Sequence, residues 1–372
     1  MPSSPFRARR GALACSAALG ALAIAGPFGC ARAADDPEAA LRRCAAIGAA
    51  ADRLACYDQL AGRAPAPDGP PAVTPIAPVA SSSLQAAGTL RSDPAEARSP
   101  GLLGRYWELD PQDKRGIFNF VGYRPNYVLP VHITSRINRS PSSPTQAAVS
   151  LPAYRREEAK FQLSLRTKLA QDVLLPNADL WAGFTQQAFW QVWNGKDSKP
   201  FRNSDYEPEL IYMIPTGEAL RPLPFGWQWR YTQLGLAHQS NGQSDPLSRS
   251  WNRVYAGAGF ERGDWSLAAR FTQRLNEPRA TDNNPDMVDY RGRGELQLNW
   301  VGGNQTASLI YRSTLTGLKH GALQFEWTYP FFRDQPNGLR WFFQAFRGYG
   351  ETLTDYNFRQ SSFGLGVSFL QF

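Results

Sequence analysis

The clearest periodic signal is a two-residue alternation in the C-terminal part of the chain. Leu323, Phe325, Trp327 and Tyr329 alternate with Gln324, Glu326 and Thr328, which gives a strand one apolar and one polar face. Phe161, Leu163 and Leu165 repeat the pattern against Gln162, Ser164 and Arg166. So do Trp265, Leu267, Ala269 and Phe271, and again Leu296, Leu298 and Trp300. A soluble sandwich alternates in the same way, but three features favour a barrel in lipid. The polar partners are large and often charged, as a hydrogen-bonded barrel interior requires. Trp181, Trp190, Trp193, Trp227, Trp229, Tyr311 and Trp341 cluster near predicted strand ends, as interfacial girdles do. The chain ends on Phe372 after Phe363, Leu365, Val367 and Phe369, with the phase slipping at Leu370. Hydrocarbon cannot hydrogen-bond a free strand edge, so spanning strands must pair all the way round. Dividing residues 102–372 into tilted strands of about 9 to 11 residues plus loops predicts an all-β, roughly twelve-stranded antiparallel transmembrane β-barrel.

Upstream the pattern changes three times. Arg7, Arg9 and Arg10 precede a mostly apolar run from Ala12 to Gly26 and then Ala31-Arg32-Ala33, which reads as a signal peptide over residues 1–33. Lipoprotein processing at Cys30 is the alternative, although Pro27-Phe28-Gly29 lacks the usual aliphatic residue. Residues 34–63 predict a periplasmic helical hairpin, with Asp36 as N-cap, Pro37 at the first helical position and a turn near Gly48. Of four cysteines, Cys44 and Cys56 survive export. In one continuous helix they would lie about 18 Å apart, too far for a disulfide, so their pairing requires two helices. Residues 64–101 are rich in Pro, Ala and Ser and read as a disordered linker.

Beyond Gly26 no apolar run is long enough for a helical span. The net charge of +8 is scattered, and in an exported chain it points to anionic lipid surfaces or to ordinary solvation, with no nucleic-acid partner.

Histidine is scarce, with three in the chain, and one lies in the stretch His238-Gln239-Ser240-Asn241-Gly242-Gln243-Ser244-Asp245-Pro246. On a strand His238 and Ser240 share a face, while the Asn-Gly and Asp-Pro pairs announce a turn. A hairpin tip near Asp245 pairs 238 with 252 and 240 with 250, which sets His238 opposite Asn252. A serine, a base beside it and a group that orients the base make the arrangement of a hydrolytic triad. Leu236 and Leu234 continue the same face backward, so the site is expected near the lipid-facing rim and not in the lumen. A polar turn with a chance His-x-Ser remains the competing reading.

The stretch from His238 to Arg253 resembles the outer membrane phospholipase A family. Tyr123-Arg124-Pro125-Asn126-Tyr127, Phe201-Arg202, Tyr206-Glu207-Pro208-Glu209-Leu210, Asn284-Pro285-Asp286, Gly348-Tyr349-Gly350-Glu351 and Asp355-Tyr356-Asn357-Phe358 extend the resemblance over the barrel. It implies calcium-dependent deacylation of phospholipids at either acyl position, and activation when two copies dimerise in the outer membrane. Ser240 corresponds to the nucleophile, His238 to the base, Asn252 to its orienter and Gly242 to an oxyanion donor. The resemblance also implies calcium ligands at Ser248, Gln243 and, from the partner copy, Ser198, and a dimer contact at Gln186. A second, monomer calcium position implies two aspartates, of which Asp245 is present while the other falls on Asn283, beside Asp282. A non-enzymatic porin or adhesin is the rival from another class, and a barrel deacylase acting on lipopolysaccharide is a second.

Overall fold

The computed structural model describes residues 37–62, 101–196, 201–317 and 319–369. The expected signal peptide, Cys30, Asp36, nearly all of the linker, Ser198, Leu370 and Phe372 lie outside the described residues.

The chain divides into two compact units. The first is the expected hairpin, with helix α1 (Pro37–Ala45), a turn through Gly48 and helix α2 (Ala50–Leu60). The Cys44–Cys56 disulfide joins the helices at a Cα separation of 5.5 Å. Closing such a loop removes freedom from the unfolded chain and contributes about 3 kcal/mol.

The second unit is a closed antiparallel sheet. Its strands are β1 (Phe120–Gly122), β2 (Asn126–Thr134), β3 (Glu157–Ala170), β4 (Asp179–Trp190), β5 (Asn203–Pro215), β6 (Gln228–Ser240), β7 (Ser250–Arg262), β8 (Trp265–Arg274), β9 (Gly294–Gly302), β10 (Gln305–Ser313), β11 (Gly321–Pro330), β12 (Arg340–Tyr349) and β13 (Arg359–Phe369). Each pairs with its successor from β2 onward, and β13 returns to β2. The short β1 pairs Phe120–Gly122 with Thr167–Leu165 of β3, and β2 pairs further along the same β3 edge. The two are one wall strand interrupted at Pro125, which has no N–H to give the ladder, so the barrel has the expected twelve strands. No helix among the described residues is long and apolar enough to cross a membrane.

Alternation decides which residues meet lipid. Outward positions include Leu323 and Phe325 on β11, Phe363 and Leu365 on β13, and Leu234 and Leu236 on β6, all exposed. Inward positions form a dense polar lattice. Arg124 binds Glu207 and Glu209 at 2.7 and 2.6 Å, and Arg253 binds Glu207 at 2.6 Å. Of the polar partners noted in the sequence, Gln324 donates to Glu326 at 2.7 Å, so such side chains satisfy one another in the interior.

One aromatic departs from expectation. Trp181 is fully buried and faces inward, because it stands in phase with Asp179 and Gly183 on β4. It packs edge-on against Trp107, the last residue of the short helix Leu102–Trp107. Leu103, Trp107, Leu109, Tyr123, Trp181 and Tyr231 form an apolar core at this end, the rim opposite the β6–β7 loop. Nearness to a strand end could not say which face the indole takes. Trp190, Trp193 and Trp341 are exposed, as a girdle requires.

Candidate active site

β6 and β7 meet in the predicted register, with His238 opposite Asn252 and Ser240 opposite Ser250. His238 and Ser240 point outward in line with Leu234 and Leu236, while Ala237 and Gln239 point inward and are buried. The imidazole Nδ1 lies 2.9 Å from Asn252 Oδ1. The Ser240 hydroxyl stands two residues along the same face from the imidazole. Asn252 makes a further contact that the sequence did not signal, donating from Nδ2 to Glu277 Oε1 at 3.2 Å. Glu277 comes from the segment after β8, where no periodicity or motif marks it.

The other histidines lie elsewhere. His132 is buried in the interior against Glu351 at 3.0 Å, and His320 donates from Nδ1 to the Asp289 carbonyl at 2.7 Å.

The loop from 241 to 249 is built around one buried side chain. Asn241 donates from Nδ2 to the Leu247 carbonyl at 2.8 Å and to Thr354 Oγ1 at 3.1 Å. Its Oδ1 accepts from the Arg249 and Gln243 backbone amides at 2.9 and 3.3 Å. Gly242 follows with φ of 61°, a left-handed conformation that turns the chain away from β6 immediately after the serine. Arg249 is fully covered and donates to the Pro246 and Ser248 carbonyls at 2.9 and 2.7 Å. Burial holds its guanidinium below the ordinary range, against the pull of Tyr356 and Asp286.

The residues expected to hold calcium are partly assembled. Gln243 and Ser248 lie on this loop, and Ser248 Oγ accepts a hydrogen bond from Asn283 Nδ2 at 2.9 Å. The Gln243 carbonyl accepts no backbone hydrogen bond among the described residues, so its oxygen is available to a cation. At the expected monomer position, the Gln146 amide nitrogen donates to Asp245 Oδ1 at 3.1 Å and to Asn283 Oδ1 at 2.7 Å. A neutral amide bridges the two side chains there, and only one of them is a carboxylate. Among the described residues, no group of three or more His, Cys, Asp or Glu could hold a metal. Any ion here would depend on neutral oxygens, which a hard cation accepts.

Gln186 points outward between Phe184 and Ala188. It pairs with Tyr206 of β5, and Tyr206 pairs with Ser240 of β6, so the amide and the hydroxyl stand in one row of the wall.

The remaining motifs supply the scaffold. Glu351 accepts from Lys160 at 3.0 Å, Ser362 at 2.8 Å and Gln360 at 2.6 Å. Asp355 pairs with Arg202 at 3.0 Å, and Arg202 also binds Glu158. Asn284 Oδ1 accepts from the Ser250 amide at 3.0 Å, and Tyr356 donates to Asp286. These contacts tie the loops carrying Asn284, Glu351 and Asp355 to β3, β7 and the segment before β5.

A family model described as phospholipase A1 matches residues 103–369. The chain belongs to the phospholipase A1 family. A putative phospholipase A1 of Neisseria meningitidis serogroup B is 35% identical, with 94% of each chain covered. Phospholipase A1 of Salmonella typhimurium is 35% identical over 69% of this chain and 83% of its own. Among solved structures, an active-site mutant of outer membrane phospholipase A from Escherichia coli aligns with a TM-score of 0.59 and 32% identity, covering 70% of this chain and 96% of its own. The Salmonella typhi outer membrane phospholipase dimer with bound calcium aligns with a TM-score of 0.58 and 33% identity, covering 69% and 94%. The family and the closed barrel make this chain an outer-membrane β-barrel and a phospholipid hydrolase.

Proposed function

We propose that this phospholipase hydrolyses phospholipid acyl esters at both acyl positions and in lysophospholipids, through Ser240, His238 and Asn252, in a calcium-dependent dimer. The observation that carries the reading is the 2.9 Å contact between His238 Nδ1 and Asn252 Oδ1 on the lipid-facing wall, beside Ser240. A serine hydroxyl is a weak nucleophile at neutral pH, so it needs a base. His238 Nε2 takes the Ser240 proton as Oγ attacks the ester carbonyl carbon. The tetrahedral adduct then collapses, the bond to the glycerol oxygen breaks, and the imidazolium returns its proton to that oxygen. Water repeats the sequence on the acyl-serine with the same base. Asn252 holds the imidazole without adding a second charge, which suits a wall where water is scarce. The Gly242 amide would donate to the developing oxyanion, a contribution of about 2.7 to 4 kcal/mol in comparable sites. A shallow apolar groove lined by Leu210, Leu234, Leu236, Val254 and Phe271 runs along the wall from the triad and suits an acyl chain.

Calcium, when bound, supplies positive charge against the oxyanion. Ser248 Oγ and the Gln243 carbonyl would hold it, with Asp245 on the same loop and Ser198 contributed by the partner copy. The neighbour from Salmonella typhi, a dimer with bound calcium, supports the ion and the dimer. Gln186 supports dimerisation on physical grounds, because an amide on an apolar wall is stabilised by a partner's polar group. We extend the proposal to the leader over residues 1–33, the periplasmic hairpin over 34–63 and the linker over 64–101.

The test is fatty acid release from phosphatidylethanolamine in mixed micelles with calcium. Wild type is expected to release it, and Ser240→Ala is expected to lose at least 1000-fold while remaining a folded barrel, roughly the loss known for triad nucleophiles. Unchanged release by the variant, or none by wild type, overturns the reading. A porin would show conductance without lipolysis, and product analysis with lipopolysaccharide excludes or reveals the other deacylase.

A further inference from the structure

We infer that Glu277 is a positioning residue of this centre, acting on His238 through the amide of Asn252. The inference rests on the Ser240, His238 and Asn252 reading and adds a fourth member to it. An asparagine amide has nearly the same shape in its two flipped orientations, so its neighbours decide which atom faces which. A carboxylate only accepts hydrogen bonds. The 3.2 Å contact to Glu277 Oε1 therefore requires Nδ2 on that side and turns Oδ1 toward the imidazole. Oδ1 in turn requires Nδ1 of His238 to carry the proton, at the observed 2.9 Å. Nε2 is then bare and able to accept the proton of Ser240. With the amide flipped, Nδ2 would face Nδ1, the proton would move to Nε2, and the base would be lost.

The fold delivers Glu277 to this position. The Leu275 amide donates to the Asn252 carbonyl at 2.8 Å, so the chain leaving β8 runs alongside β7 past Arg274. An ion pair with Arg274 alone does not account for the placement of Glu277. Arg274 reaches Glu277 only at 4.0 Å, while it binds Asp282 at 2.7 Å and the Asn284 carbonyl at 2.9 Å. The nearer partner of Glu277 is Asn252. Its side chain is 17% exposed, sheltered enough for one directed hydrogen bond to count.

The experiment is a double-mutant cycle on the full-length enzyme in mixed micelles with calcium, reading kcat and KM separately, with folding checked by heat-modified gel mobility. Glu277→Ala is expected to lower kcat about tenfold with KM unchanged, and Glu277→Gln about two- to fivefold, because its carbonyl accepts the same bond but its own N–H can donate and no longer forbids the flipped amide. In an Asn252→Ala background, Glu277→Ala is expected to cost nothing further. An unchanged kcat in Glu277→Ala, the same tenfold loss in the Asn252→Ala background, or a Gln variant as poor as Ala overturns the inference. Ser240→Ala in the same assay tests the underlying triad separately: its retained activity would remove the centre itself, whereas an additive cycle with an inactive Ser240→Ala removes only Glu277.

Discussion

Gln186 and Ser240 stand in the same row of the barrel wall, two strands apart, joined in register through Tyr206. At about 4.8 Å per strand the two lie roughly 10 Å apart, so a copy docking on Gln186 also meets the rim of the active site. Under the proposed function, dimerisation and catalysis share one surface.

Replacing the amide tests that link. Gln186→Leu is expected to weaken self-association about three- to tenfold, as loss of one interhelical or interstrand polar contact in lipid does. Cross-linking yield and lipolysis should fall together at low enzyme concentration and recover at high concentration. A fall in activity with unchanged cross-linking would separate Gln186 from the contact.

Calcium removal gives the second outcome. Chelation with EGTA should abolish acyl release, and added calcium should restore it. Ser248→Ala should raise the calcium needed for half-activity about tenfold, since a site of so few protein oxygens has little to spare. Calcium titrations of both proteins read this directly, and identical curves would exclude Ser248 as a ligand.

Asn241 bonds three groups of the 241–249 loop, and Thr354 outside it, from one buried position. Asn241→Ala leaves the Leu247 carbonyl and two amides without that partner, at a cost of about 1–3 kcal/mol. The loss should fall on the loop, lowering kcat at least tenfold while the barrel's thermal midpoint moves little.

Glu351, in the outer loop after β12, makes part of the interior's stability sensitive to acid. Burial pushes its carboxyl up, but Lys160 and His132, with hydrogen bonds from His132 and Ser362, outweigh it and hold the group well below its usual range. A depressed folded value means stability that is present above the unfolded value, near pH 4.3, and lost as pH falls through the folded one. Wild-type thermal stability should therefore drop on acidification below about pH 4. Glu351→Gln should be less stable at neutral pH by about 3–5 kcal/mol, because it strands Lys160, and should show a flatter acid limb. Tryptophan fluorescence melts across pH test both.

Much of this was legible in the sequence because strand geometry is local. Alternation with period two identified the lipid face of β3, β8, β9 and β11, and the turn chemistry after Ser240 set a register that the structure reproduces at His238 and Asn252. The cysteine spacing demanded two helices, and the disulfide joins them. These readings needed only neighbours in the chain. Tertiary structure alone decided the rest. The inward turn of Trp181 depends on the segment carrying Trp107, which precedes it by more than one strand. Glu351 meets His132 and Lys160 only because β13 closes onto β2, bringing the last loop against the first strands. Glu277 reaches Asn252 through an irregular loop with no period to read. A pattern along the chain records which face a residue takes, while partners distant in sequence are chosen by closure of the barrel and by the paths of its loops.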